Sequence, residues 1–347
     1  MPSRASNDLS FISVLRAKVR HPLVVALGAP REVAALLADL NEGAATCYQL
    51  DLFQAGRLRE ELAARQVSAQ VMTGADLWDL PAEFQTVVFP AAEKGERELK
   101  IDVVEQAFHI LRPGGRFVVL SPHDNDQLFP VHMKKVFRRV HATATEQGTF
   151  FWSQREGERP RRRHQVTFHA RIGAGPSLCF VSRPGVFAYG RFDDGARALV
   201  ETMHVDAGDR IIDIGCGCGT NGIFAALRAG AAGRVTFVDS NLRAVALAEH
   251  NARLNQVAAF QCAASADLQG LPERSFDVAL ANPPYYAQTS IAHLFIMRAR
   301  ALLRPGGRLY LVTKQADQVG PLVAEYLGPA EVVERRGYVI LCAKRAA

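Results

Sequence analysis

Residues 107–120 read AFHILRPGGRFVVL, and residues 299–312 read ARALLRPGGRLYLV. An internal repeat constrains a fold more than any local pattern, because both copies must adopt one architecture. The match extends backwards. ADLWDLPAEFQTVVFP (75–90) lies against ADLQGLPERSFDVALAN (266–282), and CYQLDLFQAGRLREELAA (47–64) against VTFVDSNLRAVALAEHNA (235–252). In the second copy, short apolar runs (RIIDIG, RVTFVD, FDVALAN, GRLYLV, GYVILCAK) alternate with helical patterns (NGIFAALRAG, NLRAVALAEHNARLN, IAHLFIMRARALL). That rhythm predicts an α/β fold with a mostly parallel sheet covered on both faces. Binding then belongs at the carboxyl ends of the strands. Each RPGGR reads as a turn feeding a strand. The expected organisation is two tandem Rossmann-like domains, 1–150 and 182–347, with a basic connector at 151–181.

The composition fits this. A chain of 347 residues exceeds one ordinary core, and 48% hydrophobic with 22% charged residues is a globular balance. No apolar run approaches the roughly 20 residues of a membrane span. The start, MPSRASNDLSFISVLRAKVRHP, has charges spread through it and lacks a signal-peptide pattern. A cytoplasmic protein is expected. Six cysteines show no paired spacing, which argues against zinc or disulfides. A net charge of +6 permits a polyanionic partner without demanding one.

The segment RIIDIGCGCGTNGIFAAL (210–227) reads as strand, glycine turn and helix. Gly215, Gly217 and Gly219 remove side chains where backbone must approach a ligand. Asp213 ends the strand, placed for an ammonium or a ribose hydroxyl. The acid precedes the glycines, and the further glycine of a dinucleotide fingerprint is out of phase, which decides against NAD. Asp239 ends the next strand and suits the two hydroxyls of a ribose. Asp267 follows the third element, placed to accept from an adenine amino group. Each acid alone reads as a helix cap; three at successive strand ends make a stronger constellation. The arrangement resembles the S-adenosylmethionine site of class I methyltransferases. That resemblance implies S-adenosylmethionine as cofactor and extends the binding set to Cys216, Ser240 and Asn282.

FDVALANPPYYAQTS (276–290) ends a buried strand in a stiff polar corner. N-P-P-Y (282–285) looks like the motif of methyltransferases that modify planar amide or amino nitrogens. A conjugated amine is a poor nucleophile. Directing its lone pair needs acceptors for its two hydrogens, which the Asn282 side chain and the Pro283 carbonyl supply. Pro283 and Pro284 stiffen the turn, so catalysis proceeds by positioning and electrostatics. Tyr285 can stack on the flat group. No nucleophile and no metal are required.

The first copy departs at the matching places. It has VALGAPREVA (25–34) for DIGCGCGTNG and PAAE (90–93) for NPPY, while Asp51 and Asp76 persist as caps. It is expected to be degenerate, binding no cofactor and performing no chemistry. Lys94, Lys100, Lys134, Lys135, Arg138 and Arg139 would give it a basic surface, with an RNA-binding role or a stabilising one. The run Arg161, Arg162, Arg163 reads either as a solvated connector or as a phosphate-contacting patch.

A degenerate copy, a connector leading into PGVF and a copy carrying N-P-P resemble, over nearly the full length, the bacterial ribosomal RNA guanine-N2 methyltransferases of the RsmC/RlmG type. The resemblance implies methyl transfer to a guanosine N2 of ribosomal RNA, the small subunit favoured. It implies ribosomal RNA or a ribosomal subunit as partner. Family members usually carry Phe and His after the prolines, where this chain has Tyr285 and Tyr286. Rival readings are a protein-glutamine methyltransferase acting on release factors, an adenine-N6 methyltransferase and a non-enzymatic RNA-binding assembly protein. A monomer is expected, because duplicated domains can pack on each other.

Overall fold

The computed structural model describes residues 10–40, 45–284 and 289–346. The chain divides into two units, Met1–His164 and Gln165–Ala347. The segment 151–181 is therefore shared: 151–154 finish a strand of the first unit, and from 166 the chain forms a hairpin of the second.

The first unit runs α1 (Phe11–Arg16), β1 (Leu23–Ala26), α2 (Pro30–Leu40), β2 (Ala45–Gln49), α3 (Leu52–Ala64) and β3 (Ala69–Thr73). A 3-10 turn (Leu77–Asp79) leads into β4 (Phe84–Pro90), α4 (Arg97–Ile110), β5 (Leu111–Ser121), α5 (Leu128–Phe137), β6 (His141–Thr145) and β7 (Gly148–Gln154). The second unit opens with a hairpin, β8 (Val166–Ala170) and β9 (Leu178–Ser182). It continues with α6 (Asp194–Thr202), β10 (Arg210–Ile214), α7 (Thr220–Ala229), β11 (Arg234–Asp239), α8 (Leu242–Leu254) and β12 (Phe260–Ala264). β13 (Phe276–Ala281), α9 (Ser290–Leu302), β14 (Leu303–Thr313), α10 (Ala316–Leu327), β15 (Ala330–Arg335) and β16 (Tyr338–Lys344) complete it.

Both sheets have seven strands in equivalent orders, β3-β2-β1-β4-β5-β7-β6 and β12-β11-β10-β13-β14-β16-β15. In each sheet only one strand, β7 or β16, runs against the others, pairing antiparallel with both its neighbours. The chain thus holds two tandem Rossmann-like domains, as the repeat predicts. Strand β10 shows why the isoleucines of its sequence point both ways. Ile211 packs under the α7–α8 side and Ile212 and Ile214 under the α9–α10 side, so both faces are covered. Strand order reverses beside β10, which makes the ends of β10 and β13 the switch point.

The RPGG turns lie inside strands. Leu111 pairs with Phe84 and pairing resumes at Arg116 with Thr86; Leu303 pairs with Phe276 and resumes at Arg308 with Val278. The residues between loop out, with Gly114 and Gly306 both at φ 78°. One arginine closes each loop. Gly114 donates to the Arg155 carbonyl and Gly306 to the Arg345 carbonyl, both at 2.9 Å. The two guanidinium groups donate to the Leu111 and Leu303 carbonyls.

Strand registers correct one sequence alignment. β1 pairs Leu23 with Ala45, and β10 pairs Ile211 with Val235. Gln49 therefore stands where the second unit has Asp239, and Asp51 is the counterpart of the α8 cap Asn241. The slip was two residues, which preserves every inward and outward position and so left no trace in the hydrophobic pattern.

Candidate active site

The parallel register sets Ile214 between Val238 and Ala281. The residues that follow, Gly215, Asp239 and Asn282, therefore leave the sheet side by side. Gly215, Gly217 and Gly219 adopt φ of 67°, 55° and 87°, a region that costs an L residue about 1–2 kcal/mol. They differ in surroundings. A Cβ on Gly217 would meet nothing within 4 Å, whereas one on Gly222 would lie 2.4 Å from Phe237 and 2.9 Å from the Asp213 carboxylate. Gly217 thus leaves open floor, and Gly222 lets α7 close on the sheet.

Asp213 is buried, 1% exposed. Its Oδ2 accepts from the Gly222 amide at 2.8 Å. Its Oδ1 has no hydrogen-bond partner among the described residues. Burial pushes the carboxyl up to about 7, against the Gly222 bond and with help from the Asp239 charge. Asp239 uses both oxygens on backbone: Oδ2 accepts from Gly217 and Oδ1 from Asn241, each at 2.9 Å. Ser240, half-buried, lies between Asp239 and the α8 cap. The buried Cys216 belongs to the core, and burial holds its thiol well above its ordinary range. Its backbone amide donates to Val238 at 3.0 Å. Asp267 is exposed, three residues beyond β12, and accepts from Ser265 Oγ at 3.2 Å and Gln269 N at 3.0 Å. The structure thus gathers Asp213, Asp239 and the glycines at one loop, while those two bonds keep Asp267 within its own.

Asn282 follows β13 directly. It is half-buried, Pro283 is buried and Pro284 half-buried. Tyr285, with Tyr286, lies outside the described residues. The Asn282 Nδ2 donates to Asp193 Oδ2 at 3.3 Å. Asp193 is 5% exposed and caps α6, accepting from Ala196 N at 2.9 Å on the same oxygen.

Sequence reasoning missed Asp193 and Asn251, and used the P-G-V-F loop before α6 only for the resemblance. Asp193 carried a cap signal, but its partner lies 89 residues away. Asn251, buried on α8, accepts from Val181 N at 2.8 Å and donates to the Val181 and Cys218 carbonyls at 2.9 Å each. It ties the hairpin to the glycine loop. Arg243 donates to the Pro184 carbonyl at 2.5 Å and Asn241 to the Gly185 carbonyl at 2.7 Å. The segment S-R-P-G-V-F is thereby held beside Asp239, with Phe187 41% exposed.

The first unit keeps the strand framework around this site and alters its side chains and the turn that follows β1. Leu27, at φ 60°, occupies the Gly215 position, and Val25 that of Asp213. Pro90 replaces Asn282 and packs where a Cβ on Gly28 would stand 2.6 Å away. Gln49 replaces Asp239 and donates to the Gly28 carbonyl at 3.1 Å. Asp51 caps α3 through Gln54 N at 3.0 Å. The arginine run is exposed connecting chain, and two of its side chains reach the first unit. Arg161 and Arg163 lie 5.5 and 5.6 Å from the Trp78 ring centre, and Arg163 pairs with Asp76 at 3.1 Å. Lys100 is buried rather than part of a basic surface.

Among the described residues, no cluster of three or more His, Cys, Asp or Glu side chains could hold a metal ion. Among the same residues, no helix is long and apolar enough to cross a membrane. The six cysteines are free.

Residues 177–342 match the model of the methyltransferase small domain. The chain is 38% identical over 145 residues to ribosomal RNA small subunit methyltransferase C of Chromohalobacter salexigens, covering 39% of this chain and 41% of that protein. It is 31% identical over 221 residues to ribosomal RNA large subunit methyltransferase G of Pseudomonas putida, covering 61% and 58%. The chain spans about half the length of these curated relatives. Among solved structures it resembles the T. thermophilus 16S rRNA N2 methyltransferase RsmC, determined with AdoMet and guanosine. The TM-score is 0.72 at 22% identity, over 96% of this chain and 91% of that one. That likeness carries the fold of both units. The C-terminal unit therefore matches the methyltransferase small domain over residues 177–342, is similar in sequence to ribosomal RNA methyltransferases C and G, and follows a second copy of its own architecture in the chain.

Proposed function

We propose that the protein transfers a methyl group from S-adenosylmethionine to the exocyclic N2 of a guanosine in ribosomal RNA, the small subunit favoured. One observation carries this reading: Asn282 and the glycine loop leave adjacent strands at the same level. An amine acceptor therefore stands beside a cofactor cradle.

The cradle suits S-adenosylmethionine. Asp213 offers a buried oxygen that lacks a partner among the described residues, Gly217 leaves space, and Asp239 ends the neighbouring strand. Bound there, the cofactor supplies an electrophilic sulfonium methyl. Asn282 Oδ1 and the Pro283 carbonyl accept the two hydrogens of the amine, which aims the nitrogen lone pair. With the amine so held by Asn282 and Pro283, the cofactor would supply its methyl to the nitrogen, the bonding pair would stay on sulfur and one amine proton would pass to water. The relatives' names, with the guanosine in the T. thermophilus structure, support this substrate.

In the same reading, the first unit binds RNA through its exposed Lys134, Lys135, Arg138 and Arg139 and takes no cofactor. The enzyme is cytoplasmic, monomeric and independent of metal. The test is transfer from labelled S-adenosylmethionine to undermethylated ribosomal subunits, free ribosomal RNA and a release factor, with nucleosides identified by mass spectrometry. Methyl on guanosine N2 is the expected result. Methyl on adenosine N6, or label on the release factor alone, overturns the substrate assignment.

A further inference from the structure

We propose that Asp193 is a positioning residue that sets which face of the Asn282 amide meets the substrate. The inference rests on the amine-transfer reading of this site. A primary amide is a donor on one branch and an acceptor on the other, of nearly the same shape. Flipped, Asn282 would present Nδ2 to the amine, donor against donor. Something must exclude that state, and a carboxylate oxygen does so because it accepts from the amide NH2. Asp193 Oδ2 receives the Asn282 Nδ2 at 3.3 Å, so Oδ1 lies on the opposite branch.

Two features make Asp193 a fixed reference. It is 5% exposed, and its Oδ2 is anchored by the Ala196 amide at 2.9 Å as the cap of α6. Helix α6 packs on the sheet through Ala198, Leu199 and Val200. The acid thus transmits the position of a helix to the orientation of one amide. Capping alone does not require an acid here, because Asn caps a helix about as well as Asp.

That equivalence provides the test. Asp193→Asn keeps the cap and the shape but offers either a donor or an acceptor to Asn282. Three readouts are taken on the full chain. The first is the Asn282 side-chain NH2 resonance, identified by its loss in Asn282→Ala. It is expected to shift in Asp193→Asn, and an unchanged resonance overturns the proposal whatever the enzyme methylates. The second is kinetic. We expect kcat to fall by about tenfold or more, with the KM for S-adenosylmethionine and the melting temperature retained. A wild-type kcat overturns the proposal. The third is coupling. Asp193→Asn is expected to add no further loss to Asn282→Ala, because one acts through the other. Full additivity assigns Asp193 a role independent of Asn282 and overturns it. Wild-type protein that methylates no guanosine refutes the substrate assignment alone, since the resonance still reports on the amide.

Discussion

Two side chains, Asn282 and Asp213, carry the sharpest predictions at the scale of single residues. Asn282→Ala removes an acceptor that matters only once the amine begins to react. Methyl transfer should fall by about a hundredfold to a thousandfold, with cofactor affinity, measured by calorimetry, unchanged within a few fold. Asp213 predicts a pH effect of definite sign. Its folded carboxyl titrates at about 7, against an ordinary value of 3.8. Between those values the folded state holds a proton that the unfolded state has lost, so stability falls as pH rises. The contribution is fully present below the ordinary value and gone once pH passes the folded one. Asp213→Asn should flatten the dependence of melting temperature on pH between about 4 and 7. An unaltered slope would place the titration elsewhere. Both residues were legible in the sequence, because strand ends and glycine turns announce a switch point. Asp193 was missed, since a bond across 89 residues has no local signature.

At the scale of elements, the glycines of one loop separate stability from binding. Gly217→Ala meets no atom within 4 Å, so its cost is the positive φ alone, about 1–2 kcal/mol. It fills the cradle, and cofactor affinity should suffer more than folding. Gly222→Ala drives a methyl against Phe237 and should lower stability by about 1–3 kcal/mol. Thermal melts and cofactor titrations on the two variants should show opposite emphases; equal effects on both readouts would refute the division. The sequence showed the strands and helices well, because apolar runs and helical spacing record burial. It misplaced the β2 match by two residues, since period-two patterns are blind to such a slip. It also split the arginine run from Trp78 and Asp76, because side-chain stacking leaves no spacing rule. The RPGG motif was seen as a turn rather than a bulge, since the pairing on either side depends on partner strands.

At the scale of the whole molecule, the two units have separate cores and separate sheets. Residues 165–347 should fold alone and bind S-adenosylmethionine, while residues 1–164 should fold without binding it. Calorimetry on the two fragments decides this, and binding by the first would overturn its reading as a degenerate copy. The arginine at the end of each last strand gives this division a longer reach. Arg155 and Arg345 clasp the same bulge with the same carbonyls, although Leu27, Gln49 and Pro90 have replaced the second unit's chemistry. Framework and trade reside in different residues. In such a chain the clasps hold the frame common to both copies, so a loop can change occupation without bringing the building down.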